Sequence, residues 1–125
     1  NPCTISQRAA LALCELRDDP GLRERLASFD SRRRFLADAI SSIDGLGGEL
    51  PMGAFYLLAD VRALCARSGL DDVQLAERLL VEARVATVPG TPFACPGFIR
   101  LSYAASMDDL RTAVLRIGAF VEQLS

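Results

Sequence analysis

Leu22, Leu26, Phe29, Leu36, Ile40 and Ile43 are spaced four, three, seven, four and three residues apart. That spacing lays one apolar stripe along a single long helix. A helix with one apolar face must bury it against a second layer. Three short runs supply that layer: "ELPMGAFYLLADV", "RVATV" and "FIRLSYA" are rich in β-branched or aromatic residues, and each reads as a strand.

Helix signals place the other elements. Thr4 precedes Gln7 at capping-box spacing, so a first helix is expected from about Ile5 to Arg17, where "RDDPG" stops it. Asp19 can cap the long helix, with Pro20 in its first turn, and that helix should run to Ile43 before "DGLGG". The Arg32–Arg34 cluster interrupts the stripe and is expected on a solvated face. Asp71 and Gln74 repeat the capping spacing for a helix over Asp72 to Glu82. Ser106 and Asp109 repeat it for a last helix to about Gln123, with Leu110, Val114, Ile117 and Val121 inward. The order is helix, helix, strand, helix, strand, strand, helix. The expected fold is α+β: a small three- to four-stranded sheet with helices packed mainly on one face, preceded by a long helix.

Composition excludes several chemistries. All 14 basic residues of the 125 are arginine, and the sequence holds no lysine and no histidine. No imidazole is available for a Ser–His or Cys–His pair, and no lysine for a Schiff base. The net charge of −2 gives no footprint for nucleic acid or an anionic membrane. No segment approaches the ~20 apolar residues of a membrane span. Cys3, Cys14, Cys65 and Cys95 are too far apart in sequence for a zinc-ligand pair. They read as free thiols of a reducing cytoplasm, with Cys14 a small buried side chain between Leu13 and Leu16. The chain opens on Asn1 without a starting methionine and is expected to be a piece of something longer.

Arg100 is the candidate functional residue. Strand side chains alternate faces, so Ile99, Leu101 and Tyr103 share the core face. Arg100 then points the other way, with Phe98, Ser102 and Ala104. A guanidinium is a planar fork that meets a carboxylate through two parallel hydrogen bonds, and small neighbours leave room for one. Periodicity alone favours an arginine simply exposed on the open face of a sheet, which is common.

The opening "TISQRAALAL", the strand "GAFYLLADV" and the stretch "ERLLVEARVATVPGTPFACPGFIRLSYAASMDDLRTAVLRI" resemble, in this order and spacing, the C-terminal part of a fold-type I, pyridoxal-phosphate-dependent aminotransferase. The likeness is to the aspartate aminotransferase group, with its P-x-G-A-F-Y, L-L-x-x-x-x-V-A-x-V-P-G and R-L-S-Y-A segments. The resemblance implies that Arg100 binds the substrate's α-carboxylate. Ala94 stands where the family frequently has glycine.

The resemblance also implies a division of the chain. Residues 1–18 would end a large cofactor-binding domain, and residues 19–125 would form the small domain. The lysine, the phosphate-binding groups and the pyridine-nitrogen partner of the family would lie upstream. The implied partners are that upstream domain, the carboxylate of an amino acid or 2-oxo acid, and a second subunit in the parent protein. This chain alone would then be inactive, with pyridoxal phosphate in the parent only. Two other readings stay open: an amino-acid-sensing, aminotransferase-like domain of a transcription regulator, and a plain interaction domain in which Arg100 is simply exposed.

Overall fold

The computed structural model describes residues 1–16 and 19–124. It contains α1 (Thr4–Glu15), α2 (Pro20–Ser41), β1 (Gly47–Gly48), β2 (Tyr56–Asp60), α3 (Arg62–Ser68), α4 (Asp72–Val81), β3 (Val88–Pro89), a 3₁₀ turn (Thr91–Phe93), β4 (Phe98–Ser102) and α5 (Met107–Gln123). The strands form one antiparallel sheet in the order β1-β2-β4-β3. This is the α+β arrangement expected.

The core lies between the sheet and its helices. Leu57, Ala59, Ile99 and Leu101 project from β2 and β4, with Tyr103 just beyond. They meet Leu36, Ala37 and Ile40 of α2, Leu64 of α3, Leu75 and Leu79 of α4, and Leu110, Ile117, Phe120 and Val121 of α5. Val114, expected inward on α5, is half-buried against this cluster. Three of the predicted caps form. Asp19 accepts from the Leu22 N–H, Asp71 and Gln74 complete a reciprocal box, and Ser106 accepts from the Asp109 N–H.

Other expectations are corrected. Thr4 does not cap α1: the helix begins at Thr4 itself, Cys3 takes the cap position without a side-chain bond, and Gln7 Nε2 donates to the Pro2 carbonyl at 2.9 Å. Cys14 is exposed, because α1 has no buried residue and so offers no core for the thiol. The expected helix end at Arg17 and the boundary at residue 18 fall outside the described residues. Arg33 is not on a solvated face. Its side chain is 17% exposed, and it donates to Asp30 and, at 2.6 Å, to the Pro51 carbonyl. The strand expected from Arg84 shrinks to Val88–Pro89, since Arg84 adopts a left-handed φ of 56° that no strand continues. Proline fits β3 because β3 is an edge strand, with no ladder donor needed on its outer side. β1 and α3 carry too little pattern to be read. β1 is two glycines, and α3 spans seven residues without a side-chain cap from Val61.

The apolar stripe of α2 is buried only in its C-terminal half: Ile40 is 0% exposed, whereas Leu26 is 61% exposed. Ile40→Ala should therefore lower the unfolding free energy of the 125-residue chain by about 2–4 kcal/mol. Leu26→Ala should change it by no more than about 0.5 kcal/mol. Urea titration of the two variants checks the contrast, and equal losses would contradict this packing.

Candidate functional site

Alternation along β2 and β4 gives the sheet a second face. Tyr56, Leu58 and Asp60 share it with Phe98, Arg100 and Ser102, and the register sets Leu58 beside Arg100. Val88 of β3 flanks Arg100 on the other side. Arg100 thus points away from the core, as the alternation of its own strand predicts.

Its neighbours are not those that its own strand suggested. The guanidinium carbon lies 4.5 Å from the centre of the Tyr56 ring and 5.5 Å from that of Phe93. A ring quadrupole attracts the cation without consuming its N–H donors. No ion pair forms between Arg100 and any described residue. Leu50, Met52, Leu58 and Phe98 line the same depression. At its far end Arg62 is already neutralised: its Nε donates to Asp60 at 3.0 Å and its Nη2 at 2.6 Å. Hydrogen bonding from Arg62 holds the Asp60 carboxyl below its ordinary value. Glu49 also lies on the wall, without an ion pair to Arg100. The arrangement is a charged, donor-rich group held by aromatic rings in a largely apolar depression, a setting that suits a carboxylate.

One loop lines this depression and a second brings Phe93 to Arg100, and each is tied by a buried or half-buried polar group. The loop before β2 is held by Arg33 on the Pro51 carbonyl and by the Tyr103 hydroxyl, which donates to the Ala54 carbonyl at 3.0 Å. The loop from β3 to β4 carries Phe93. It closes on Gly90, whose carbonyl accepts from Phe93 and Cys95. A Cβ at Gly90 would sit 2.1 Å from the Cys95 carbonyl oxygen, so only glycine fits. Ala94 follows in the left-handed region, φ 56°, which explains why glycine suits that position.

Asp72, on the first turn of α4, braces the same loop. It is 2% exposed and accepts from the Thr91 N–H at 2.7 Å, the Thr91 hydroxyl at 2.6 Å and the Gly97 N–H at 3.4 Å. Burial pushes its carboxyl up, but the hydrogen bonds from Thr91 and Gly97 outweigh burial and leave it below its ordinary value. Burial, then the charges of Asp72 and Asp71, push the Cys65 thiol up, so it stays protonated at neutral pH.

The sequence pointed to Arg100 but missed Tyr56, Phe93 and Asp72 as its surroundings. Tyr56 was legible as a strand aromatic, yet its contact depends on the pairing of β2 with β4. Asp72 gave no signal beyond its place after a capping residue. Among the described residues no cluster could hold a metal ion, and no helix is long and apolar enough to cross a membrane.

Comparison with known proteins shows the family of the chain. The family model "Aminotransferase class I and II" matches residues 1–117. The chain belongs to that family, and its likenesses fit the fold-type I, aspartate aminotransferase-like group. It is 42% identical over 98% of its length to an aspartate aminotransferase of Geobacillus stearothermophilus, covering 31% of that protein. It is 38% identical over 97% of its length to an aspartate/prephenate aminotransferase of Nitrosomonas europaea, covering 32% of it. Among solved structures, the aspartate aminotransferase of Rhizobium meliloti superimposes with a TM-score of 0.87 at 35% identity, over 99% of this chain and 32% of that one. The chain therefore spans about a third of the length of the curated relatives it matches.

The Asp72 carboxylate generates a pH prediction. Its folded value is depressed, so its stabilisation is complete above the unfolded value of about 3.9 and is lost as pH falls through the folded value. Wild type should exceed Asp72→Asn in stability at pH 7, and the gap should shrink towards pH 2.5. Urea titrations across that range measure it, and a constant gap would show that the charge plays no part.

Proposed function

We propose that this chain is the small-domain part of a pyridoxal-phosphate-dependent aminotransferase, with Arg100 binding the α-carboxylate of an amino acid or 2-oxo acid. The observation that carries the proposal is the guanidinium of Arg100. It lacks an acid partner among the described residues and is held by Tyr56 and Phe93 at the R-L-S-Y-A position of the family pattern. The reaction of the whole protein is amino-group transfer between an amino acid and a 2-oxo acid, and the likeness to aspartate and aspartate/prephenate aminotransferases supports a substrate of that kind.

The cofactor does not fit the residues of this chain. The sequence has no lysine, so no side-chain amine can be linked to pyridoxal phosphate here. When bound in the parent protein the cofactor supplies the electron sink. The part of this chain is positioning: Arg100 fixes one end of the substrate, so that the bond to be broken is presented in one orientation. Movement of the small domain over the substrate would exclude water from that site.

We read residues 1–18 as the end of the large domain and 19–125 as the small domain. The bare surface of α1 supports this division: Ile5, Leu13 and Leu16 are 80%, 54% and 50% exposed, surface that an upstream domain would cover. A homodimeric parent in a reducing cytoplasm belongs to the same reading, and four free thiols suit that compartment.

In the full-length protein, Arg100→Ala should cost about 2–4 kcal/mol in kcat/KM for the amino acid, as expected for lost charge-assisted hydrogen bonds. Thermal stability should hold, because Arg100 makes no ion pair with the described residues. Unchanged kcat/KM would reduce Arg100 to an exposed side chain. A second measurement addresses the cofactor. The 125-residue chain, mixed with pyridoxal phosphate and reduced with borohydride, should show by intact mass no stoichiometric adduct away from its α-amino group.

A further inference from the structure

Asp72 is the buried charged side chain of the described residues. It stands on α4, yet its bonds go to the loop that joins β3 to β4. Its two oxygens take the Thr91 N–H, the Thr91 hydroxyl and the Gly97 N–H, residues 19 and 25 positions away. Thr91 opens the turn and Gly97 closes the loop, so one carboxylate ties both ends. Phe93 rides between these ties.

The loop needs such a brace. Phe93 is 65% exposed, so burial does little to hold its ring in place. Ala94 sits at a φ of 56°, a conformation that an L side chain adopts at a local cost. Gly90 lets the backbone double back to within hydrogen-bond reach of Cys95, but a glycine favours no single conformation. The external tie from α4 offsets these costs. The Phe93 ring that it carries lies 5.5 Å from the guanidinium of Arg100.

We propose that Asp72 is a positioning residue for carboxylate recognition: by fixing both ends of the β3–β4 loop it holds Phe93 against Arg100, and so orients the guanidinium before the carboxylate arrives. This rests on the reading of Arg100 given above. Asp72 itself touches neither substrate nor cofactor. Its effect passes through Thr91 and Gly97 to the loop, and from Phe93 to Arg100. Preorganising the site in this way lowers the ordering cost of binding. The loss of Asp72 should therefore weaken carboxylate binding more than it slows turnover.

Chemistry selects the variants. An asparagine at 72 keeps the shape but has one acceptor oxygen. Turned to satisfy the Thr91 N–H, it sets its amide N–H₂ against the Gly97 N–H, donor against donor. The Gly97 end of the loop is then untied. Thr91→Val removes only the hydroxyl bond and leaves the Thr91 backbone bond in place. Phe93→Leu removes the ring itself.

The experiment uses the full-length enzyme with pyridoxal phosphate. Calorimetry measures the Kd of succinate, a dicarboxylate without the reacting amino group, and steady-state kinetics with L-aspartate separate KM from kcat. Asp72→Asn should raise both Kd and KM about 5- to 20-fold, with a smaller change in kcat. Thr91→Val should move them in the same direction by less. Phe93→Leu should match Asp72→Asn, and the double variant Asp72→Asn/Phe93→Leu should bind no more weakly than Phe93→Leu alone, since both act through one ring. If Asp72→Asn does not fold, Thr91→Val and its double with Phe93→Leu decide the matter. Unchanged Kd and KM, or losses that add in the double variant, would make Asp72 a structural brace only. If Arg100→Ala weakens succinate and the Asp72 and Thr91 variants do not, this inference alone fails. If Arg100→Ala has no effect either, the carboxylate reading fails and takes this one with it.

Discussion

β2 and β4 pair over five residues, from Tyr56 against Ser102 to Asp60 against Phe98, and this ladder sets both faces of the sheet at once. On one face Leu57, Ala59, Ile99 and Leu101 close the core under α2, α3, α4 and α5. On the other, Tyr56 and Leu58 come beside Arg100. A slip of β4 by one residue would turn Arg100 into the core and expose Ile99 and Leu101. The burial of the apolar set therefore fixes the position of the guanidinium. In this sense the hydrophobic energy of the core also holds Arg100 in register.

The ladder places Arg100, but the loops give it surroundings. Both loops leave the regular hydrogen-bond pattern and are secured by polar groups from elsewhere in the fold. Arg33 of α2 and the Tyr103 hydroxyl hold the segment before β2, with Ala54 in a left-handed conformation, φ 61°. Asp72 of α4 holds the segment before β4, with Ala94 likewise left-handed. Each loop thus combines local backbone strain with a tie from a helix. Strain of this kind persists where the surrounding structure over-determines it, and it gathers at sites that must be shaped in advance.

Much of this fold was legible because its signals are local. Caps at Asp19, Asp71 and Ser106 need only three or four residues of sequence, and the alternation of Ile99, Arg100 and Leu101 needs three. What escaped depends on distant partners. The two glycines of β1 become a strand only by pairing with Ala59 and Asp60. Arg33 looked like one of three solvated arginines until the loop carrying Pro51 folded over it. Cys14 looked buried because its sequence neighbours are apolar, but a stripe is covered only when another element lies on it, and none of α1 is buried. The site divides in the same way. Arg100 stands out in its own strand, whereas Tyr56 and Phe93 reach it only through the register of β2 with β4 and the brace from Asp72.

The electrostatics of the chain follow from this placement. Arg33, Arg34, Arg62, Arg78 and Arg111 find carboxylates two to four residues away. Helices and tight turns bring such partners together at little cost, and on exposed surfaces each pair contributes little. Arg100 has no such recourse. Its strand neighbours are Ile99 and Leu101, and across the ladders it meets Leu58 and Val88. The rings of Tyr56 and Phe93 attract the cation but cannot accept its planar set of hydrogen bonds. The donors therefore stay available in a partly desolvated, apolar depression, where a charge-assisted bond is stronger than in water. An internal acid at position 58 or 88 would stabilise the folded chain and occupy those donors. With these positions apolar, the fork keeps its donors free of any acid partner among the described residues.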